Sequence, residues 1–208
     1  MPACRTAAAF AALLLLLPPA DAAFSQPARS EAPSGLYRAD PTHTSITWRL
    51  NHWGLSNYTA RFVGYAATLQ FDASQPERSR LEVSIDPLSV RTDFVGPKDW
   101  DAEVARDPQF LNGGTHPRIT YVSRSIVSTG DRTARVEGDL TLLGITRPVA
   151  MEVRFNGSYA DYPIERVPAL GFSGRATFNR SDFGMTALLP SIGDAIEVIV
   201  EAEFHGRR

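Results

Sequence analysis

The sequence predicts an all-β domain of about eight antiparallel strands. Three observations carry this expectation. Apolar and polar residues alternate with period two through most of residues 46–204, turn signals separate the alternating runs, and only one stretch carries helix punctuation. One dry and one wet face per strand fits antiparallel pairing, and about eight such strands either close into a barrel that holds one small ligand or pack as a sandwich.

The first 22 residues are a different material. Arg5 precedes an apolar run at 7–17 that is too short to span a bilayer, Pro18-Pro19 end it, and Ala20-Asp21-Ala22 offers a cleavage site. They read as a signal peptide. Cys4, the single cysteine of the sequence, would leave with it, so disulfides and thiol chemistry are not expected in the mature chain. Residues 23–35, rich in Ser, Pro and Ala, read as a disordered lead-in to a domain at 36–208.

Within that domain each element follows from its pattern. Ile46, Trp48, Leu50 and His52 form the dry face of the first strand. A histidine there reads first as a core residue bonded to a backbone carbonyl, and second as a polar contact to a ligand headgroup. Residues 58–72 contribute Phe62 and Leu69 but switch face near Gly64, where a bulge would reconcile Phe62 with Tyr65. Leu81, Val83 and Ile85 alternate with polar neighbours. Residues 97–106 read as the one helix: Pro97 at a first-turn position, acids early, Arg106 late, and Trp100 and Val104 on one face, with Asp107-Pro108 ending it. The β-branched stretch 118–127 is a weaker strand. Four clear ones follow, with dry faces Val136, Leu140, Leu142; Val149, Met151, Val153, Phe155; Phe172, Ala176, Phe178; and Ile196, Val198, Val200, Ala202, Phe204.

Between the last two strands lies an apolar connection, FGMTALLPSIGD at 183–194, where a short polar turn would be ordinary. Met185, Leu188, Leu189 and Ile192 there are either a rim or lid for a ligand or the cap of an ordinary core.

Known chemistries are not signalled. Lys+Arg total 21 against 23 for Asp+Glu, with net charge −2 and pI near 6.1, which disfavours a phosphate-tracking nucleic-acid binder. Nucleophile elbows, zinc-protease helices, P-loops and dinucleotide fingerprints do not occur, the four histidines are scattered, and no dry-face carboxylate pair suggests an acid and a base. Catalytic residues and metal ligands are therefore not assigned, and an enzyme is not expected.

Several motifs occur in a recognisable order: YRADPTHTS at 37–45, HWGLS at 52–56, Arg61-Phe62, IDPLSV at 85–90 with Thr92, Phe110 with His116-Pro117, LTLLGITRPV at 140–149, RSDFG at 180–184 and IGD at 192–194. Over the mature domain this resembles the YceI-like family of bacterial periplasmic polyisoprenoid-binding proteins. The resemblance implies an eight-stranded antiparallel lipocalin-like barrel, with the helix between strands 3 and 4. It also implies an interior for a long apolar chain such as an isoprenoid quinone tail, a polyprenyl compound or a fatty amide. The family brings no established catalytic residues. The chain departs from the pattern at DFVGPKDWD, 93–101, with Val104 where Leu is usual.

The resulting expectation is a periplasmic binding or carrier protein without a resident cofactor, an isoprenoid or quinone entering only as ligand. The expected lining comprises the dry-face residues Ile46, Trp48, Leu50, His52, Phe62, Leu69, Leu81, Val83, Ile85, Leu140, Met151, Val153, Phe172, Phe178, Val198 and Val200. Trp100 of the helix and Met185, Leu188, Leu189 and Ile192 of the loop complete it. A barrel filled by side chains, serving as a structural or interaction module, is the alternative. Small residues decide between them: Gly64, Ala67, Gly138, Gly174 and Ala176 leave room unless a large ring fills each gap. No later segment is long and apolar enough to span a membrane as a helix, and a homodimer is left open.

Overall fold

The computed structural model describes residues 30–207. The signal segment 1–22 and the first part of the lead-in, 23–29, lie outside the described residues.

Eleven strand segments and one α-helix follow each other as β1 (Gly35–Ala39), β2 (Ser45–His52), β3 (Ser56–Phe62), β4 (Tyr65–Phe71), β5 (Arg80–Ile85), β6 (Val90–Thr92), α1 (Trp100–Arg106), β7 (Ile119–Gly130), β8 (Thr133–Leu142), β9 (Ile145–Tyr159), β10 (Ala169–Asn179) and β11 (Ala195–Gly206). The first six are three long strands, each interrupted once. Neighbours pair antiparallel in the order β1-β4-β5-β7-β8-β9-β10-β11, and β1 pairs back onto β11 through Tyr37↔Gly206 and Ala39↔Phe204. The result is a closed, eight-stranded, up-and-down antiparallel barrel with no free edge along that ring.

The interruptions fall on one line across the wall. Residues 40–44, 63–64 and 86–89 lie side by side, with Val63 N–H donating to Ser89 O and Asp86 N–H to Gly64 O. Ser89 Oγ donates to Asp86 O at 2.6 Å. Beyond this kink β2, β3 and β6 continue as a separate flap on β11, and β6 has no hydrogen-bonded partner in β7. The face switch anticipated near Gly64 is thus a break shared by three strands. Gly64 is required there because a Cβ would lie 2.8 Å from that of Ser89.

The gap between β6 and β7 is filled by α1 and the segment after it. Asp99 Oδ1 accepts from Ala102 N–H and caps the helix, which therefore starts at Trp100, three residues later than Pro97 suggested. Asp101 Oδ1 accepts from both the N–H and the hydroxyl of Thr92, fastening α1 to β6. The helix ends at Asp107, as the Asp-Pro pair implied.

The apolar interior forms two clusters. The larger surrounds Ile46, Phe62, Val90, Leu111, Tyr121, Val136, Leu140 and Phe183 near the helix end. The smaller, built on Tyr37, Leu69, Phe71, Leu170 and Phe204, lies towards the end where the chain enters. Ala32 is buried within it, and Tyr37 Oη donates to Pro33 O at 2.6 Å. Of residues 30–35, read as the end of the lead-in, Ala32 is buried in this cluster, whereas Glu31, Pro33 and Ser34 are exposed.

Candidate ligand-binding cavity

A cavity of about 760 Å³ runs through the barrel. It is lined by Ile46, Trp48, Leu50 and His52 of β2, Phe62 of β3, Leu69 of β4, Leu81, Val83 and Ile85 of β5, and Trp100 of α1. Across from these stand Leu140 of β8, Met151 and Val153 of β9, Phe172 and Phe178 of β10, and Val198 and Val200 of β11, with Met185, Leu188 and Ile192 from the loop. Only Leu189, of all the expected lining, does not reach it. The side chains alternate across each strand as the pleat demands, so a single alternation pattern delivers a continuous hydrocarbon wall.

The small residues divide. Ala67, Gly174 and Ala176 border the cavity and leave it room. Gly138 does not: the Tyr121 ring lies across it, 2.4 Å from where a Cβ would stand, and its hydroxyl donates to Val136 O and Val149 O at 3.1 Å each. Burial pushes the Tyr121 phenol up to about 12, with the nearby Glu137 carboxylate adding to it. Tyr65, also in the wall, is raised by burial and donates to Thr44 O.

Antiparallel connectivity places the β2–β3 turn, the α1 region, the β8–β9 turn and the 183–194 loop at one end. Trp53 N–H donates to Ser191 O and Gly193 N–H to Asn51 O, both at 2.8 Å, so the loop lies along the β2–β3 hairpin. His52 is exposed at this end, beside the Tyr58 ring at 6.2 Å, and is not the core histidine its strand face suggested. The large apolar side chains Trp53, Leu55, Phe94, Val95 and Leu188 are likewise exposed in these connections. Leu188, 57% exposed, borders the cavity and solvent at once, which places it at the mouth.

The loop owes its shape to Arg180, which is only 1% exposed. Its Nε donates to Gly193 O, Nη1 to Met185 O, and Nη2 to Ala187 O and Ile192 O, at 2.8–3.0 Å. Asp194 closes the loop base by accepting from Ser181 N–H and Oγ. Burial lowers the Arg180 pKa while the Asp194 charge opposes that shift. An apolar loop lacks side-chain partners for its own carbonyls, and one guanidinium supplies them.

Sequence reasoning missed several wall residues. Tyr58 and Tyr65 were hidden by the kink, Phe71 was passed over at the end of its strand, and Phe94, Phe110 and Leu111 stand in connections without periodicity. The RSDFG motif did mark Arg180, but an arginine beside an aspartate reads as a solvated turn.

Comparison with known proteins agrees with this architecture. The family model described as YceI-like domain matches residues 37–204. A UPF0312 protein of Pseudomonas savastanoi pv. phaseolicola is 34% identical over 143 residues, covering 69% of this chain and 71% of that protein. One from Ectopseudomonas mendocina is 34% identical over 161 residues, 77% of this chain and 81% of the relative. Among solved structures, Burkholderia cenocepacia BcnA superposes with a TM-score of 0.69 at 20% identity, over 79% of this chain and 98% of that one. A polyisoprenoid binding domain from Saccharophagus degradans gives 0.61 at 14% identity, over 82% and 98%. The kinked barrel, its motifs and these matches place the chain in the YceI-like domain family.

Proposed function

We propose that this chain is a periplasmic binding or carrier protein for an amphiphile with a long apolar tail. The observation that carries the reading is the hydrocarbon-lined cavity of about 760 Å³ inside a closed barrel, with apolar side chains at its mouth. Volumes of this order suit small-molecule ligands. Each buried methylene contributes roughly 0.8 kcal/mol, so a tail of about ten carbons gains several kcal/mol after its ordering cost. Isoprenoid quinones, polyprenyl compounds and fatty amides all supply such a tail, and the polyisoprenoid binding of the Saccharophagus degradans neighbour supports that class. The signal-like segment at 1–22 supports the periplasm as the compartment. The reading is non-catalytic: the wall offers van der Waals contact and exclusion of water.

The test is mass spectrometry of an organic extract of the protein purified from its own periplasm without detergent. A stoichiometric long-chain species is expected. An empty extract, together with no uptake of quinone or fatty-amide probes by the folded protein, would overturn the carrier reading in favour of a structural module.

A further inference from the structure

A second site stands outside the barrel, where the first and last strands meet. Asp40 follows the end of β1, His43 lies in the kink before β2, and Glu203 and His205 project from β11. One carboxylate oxygen each from Asp40 and Glu203 and one ring nitrogen of His205 lie within 4.8 Å of one another. His205 Nε2 is 3.9 Å from Glu203 Oε2, too far for a hydrogen bond. That nitrogen is out of reach of water and has no hydrogen-bond partner, although the side chain as a whole is 17% exposed. His43 Nδ1 is 2.5 Å from Asp40 Oδ2 and 3.9 Å from Glu203 Oε2. Thr42 holds Asp40 from the far side, its N–H donating to Oδ1 at 2.9 Å and its hydroxyl bonding both carboxylate oxygens.

We propose that Asp40, Glu203 and His205 bind a divalent transition-metal ion of the zinc class, with His43 as the fourth donor. The donor set is two imidazoles and two carboxylates, which suits zinc and disfavours magnesium or calcium, both of which prefer oxygen alone. Zinc at roughly 2.0–2.2 Å from each donor needs the donors about 3.3–3.5 Å apart. The separations of 2.5 Å and 3.9 Å among these donors bracket that spacing. A cation held between these donors would give the His205 nitrogen the partner it lacks.

The ion would act as a clamp on the barrel seam. β1 contributes only three residue pairs to β11 before the chain kinks. Backbone bonds already cross there, with Asp40 N–H donating to Glu203 O at 2.8 Å and Glu203 N–H to Thr44 Oγ1 at 3.2 Å. A metal joining the kink to β11 would fasten the seam without touching the cavity.

The test uses untagged full-length protein freed of metal with a chelator, titrated with Zn²⁺ against a chromogenic competitor. One equivalent should bind saturably and raise the thermal midpoint, whereas Mg²⁺ should do neither. His205→Ala and Glu203→Gln should each weaken Zn²⁺ by about tenfold or more, a loss at least as large as removing an outer-shell partner of a metal ligand. His116→Ala, far from the seam, should bind as wild type. Should His205→Ala fail to fold, Glu203→Gln decides alone, since its side chain is 40% exposed and dispensable to the core. Absence of saturable Zn²⁺ binding by the wild type, or undiminished affinity in Glu203→Gln, would overturn the proposal.

Discussion

Arg180 satisfies four carbonyls of the loop at the mouth, so the loop's shape depends heavily on that one side chain. Arg180→Leu keeps much of the volume but leaves those carbonyls without donors, at about 1–3 kcal/mol for each that water cannot reach. The expected loss is about 3 kcal/mol or more by urea denaturation, with new proteolytic cleavage confined to 185–192. Unchanged cleavage in that loop would mean that packing of Phe183, not Arg180, fixes it. Tyr121 makes a different prediction, through pH. Its folded pKa is pushed up to about 12, above the ordinary 10 of a tyrosine in the unfolded chain. Its stabilising contribution is therefore complete below pH 10 and is lost as pH rises towards 12, because the unfolded phenol ionises first. Tyr121→Phe should be less stable by about 1 kcal/mol at neutral pH, and the gap should close and then reverse as pH rises from 10 towards 12 in paired denaturation curves. A gap that stays constant would show that the hydroxyl is not the group responsible.

At the scale of elements, the strands were legible because each carries one period and one buried face, and that face became the cavity wall. What alternation could not show is where a strand breaks. Residues 40–44 and 86–89 form one kink with 63–64, but only Gly64 announced it in the sequence. β1 was missed for the same reason, since five residues ending at a kink are too few to establish a period. Leu189 was misplaced because loops have no period from which to infer a side chain's direction. The seam cluster was invisible as well: Asp40 and Glu203 are brought together only when the first strand meets the last. β10 offers the element-scale test. Ala176 borders the cavity between Gly174 and Phe178, so Ala176→Phe would place a ring in the ligand's path without breaking a hydrogen bond. Uptake of a fatty-amide probe should fall by about tenfold or more, while the thermal midpoint holds or rises as empty space is filled. Equal losses of uptake and stability would mean that the position is packed rather than open.

For the whole molecule, the barrel is a closed wall, and the kinked flap, α1 and the 183–194 loop form the rim at one end. Tyr37, Phe71, Leu170 and Phe204 pack with Ala32 towards the other end, while the rim exposes Leu188, Phe94 and Trp53. A tail entering at the rim meets the apolar side chains of the cavity wall. Across a homologous series of fatty amides, affinity should therefore climb by about fourfold per added methylene, the equivalent of roughly 0.8 kcal/mol, and then flatten once the tail fills the cavity. Leu188→Asp puts a charge at the point of entry, where the side chain is already half in water. It should lower affinity across the series by about tenfold, leave the slope per methylene intact, and leave the urea midpoint near wild type. The slope and the offset separate the two regions: a wall that binds the tail sets the first, and a rim that admits it sets the second. A Leu188→Asp protein with unaltered affinity would place the entrance elsewhere, and an affinity independent of tail length would mean that the apolar chain does not enter the barrel at all.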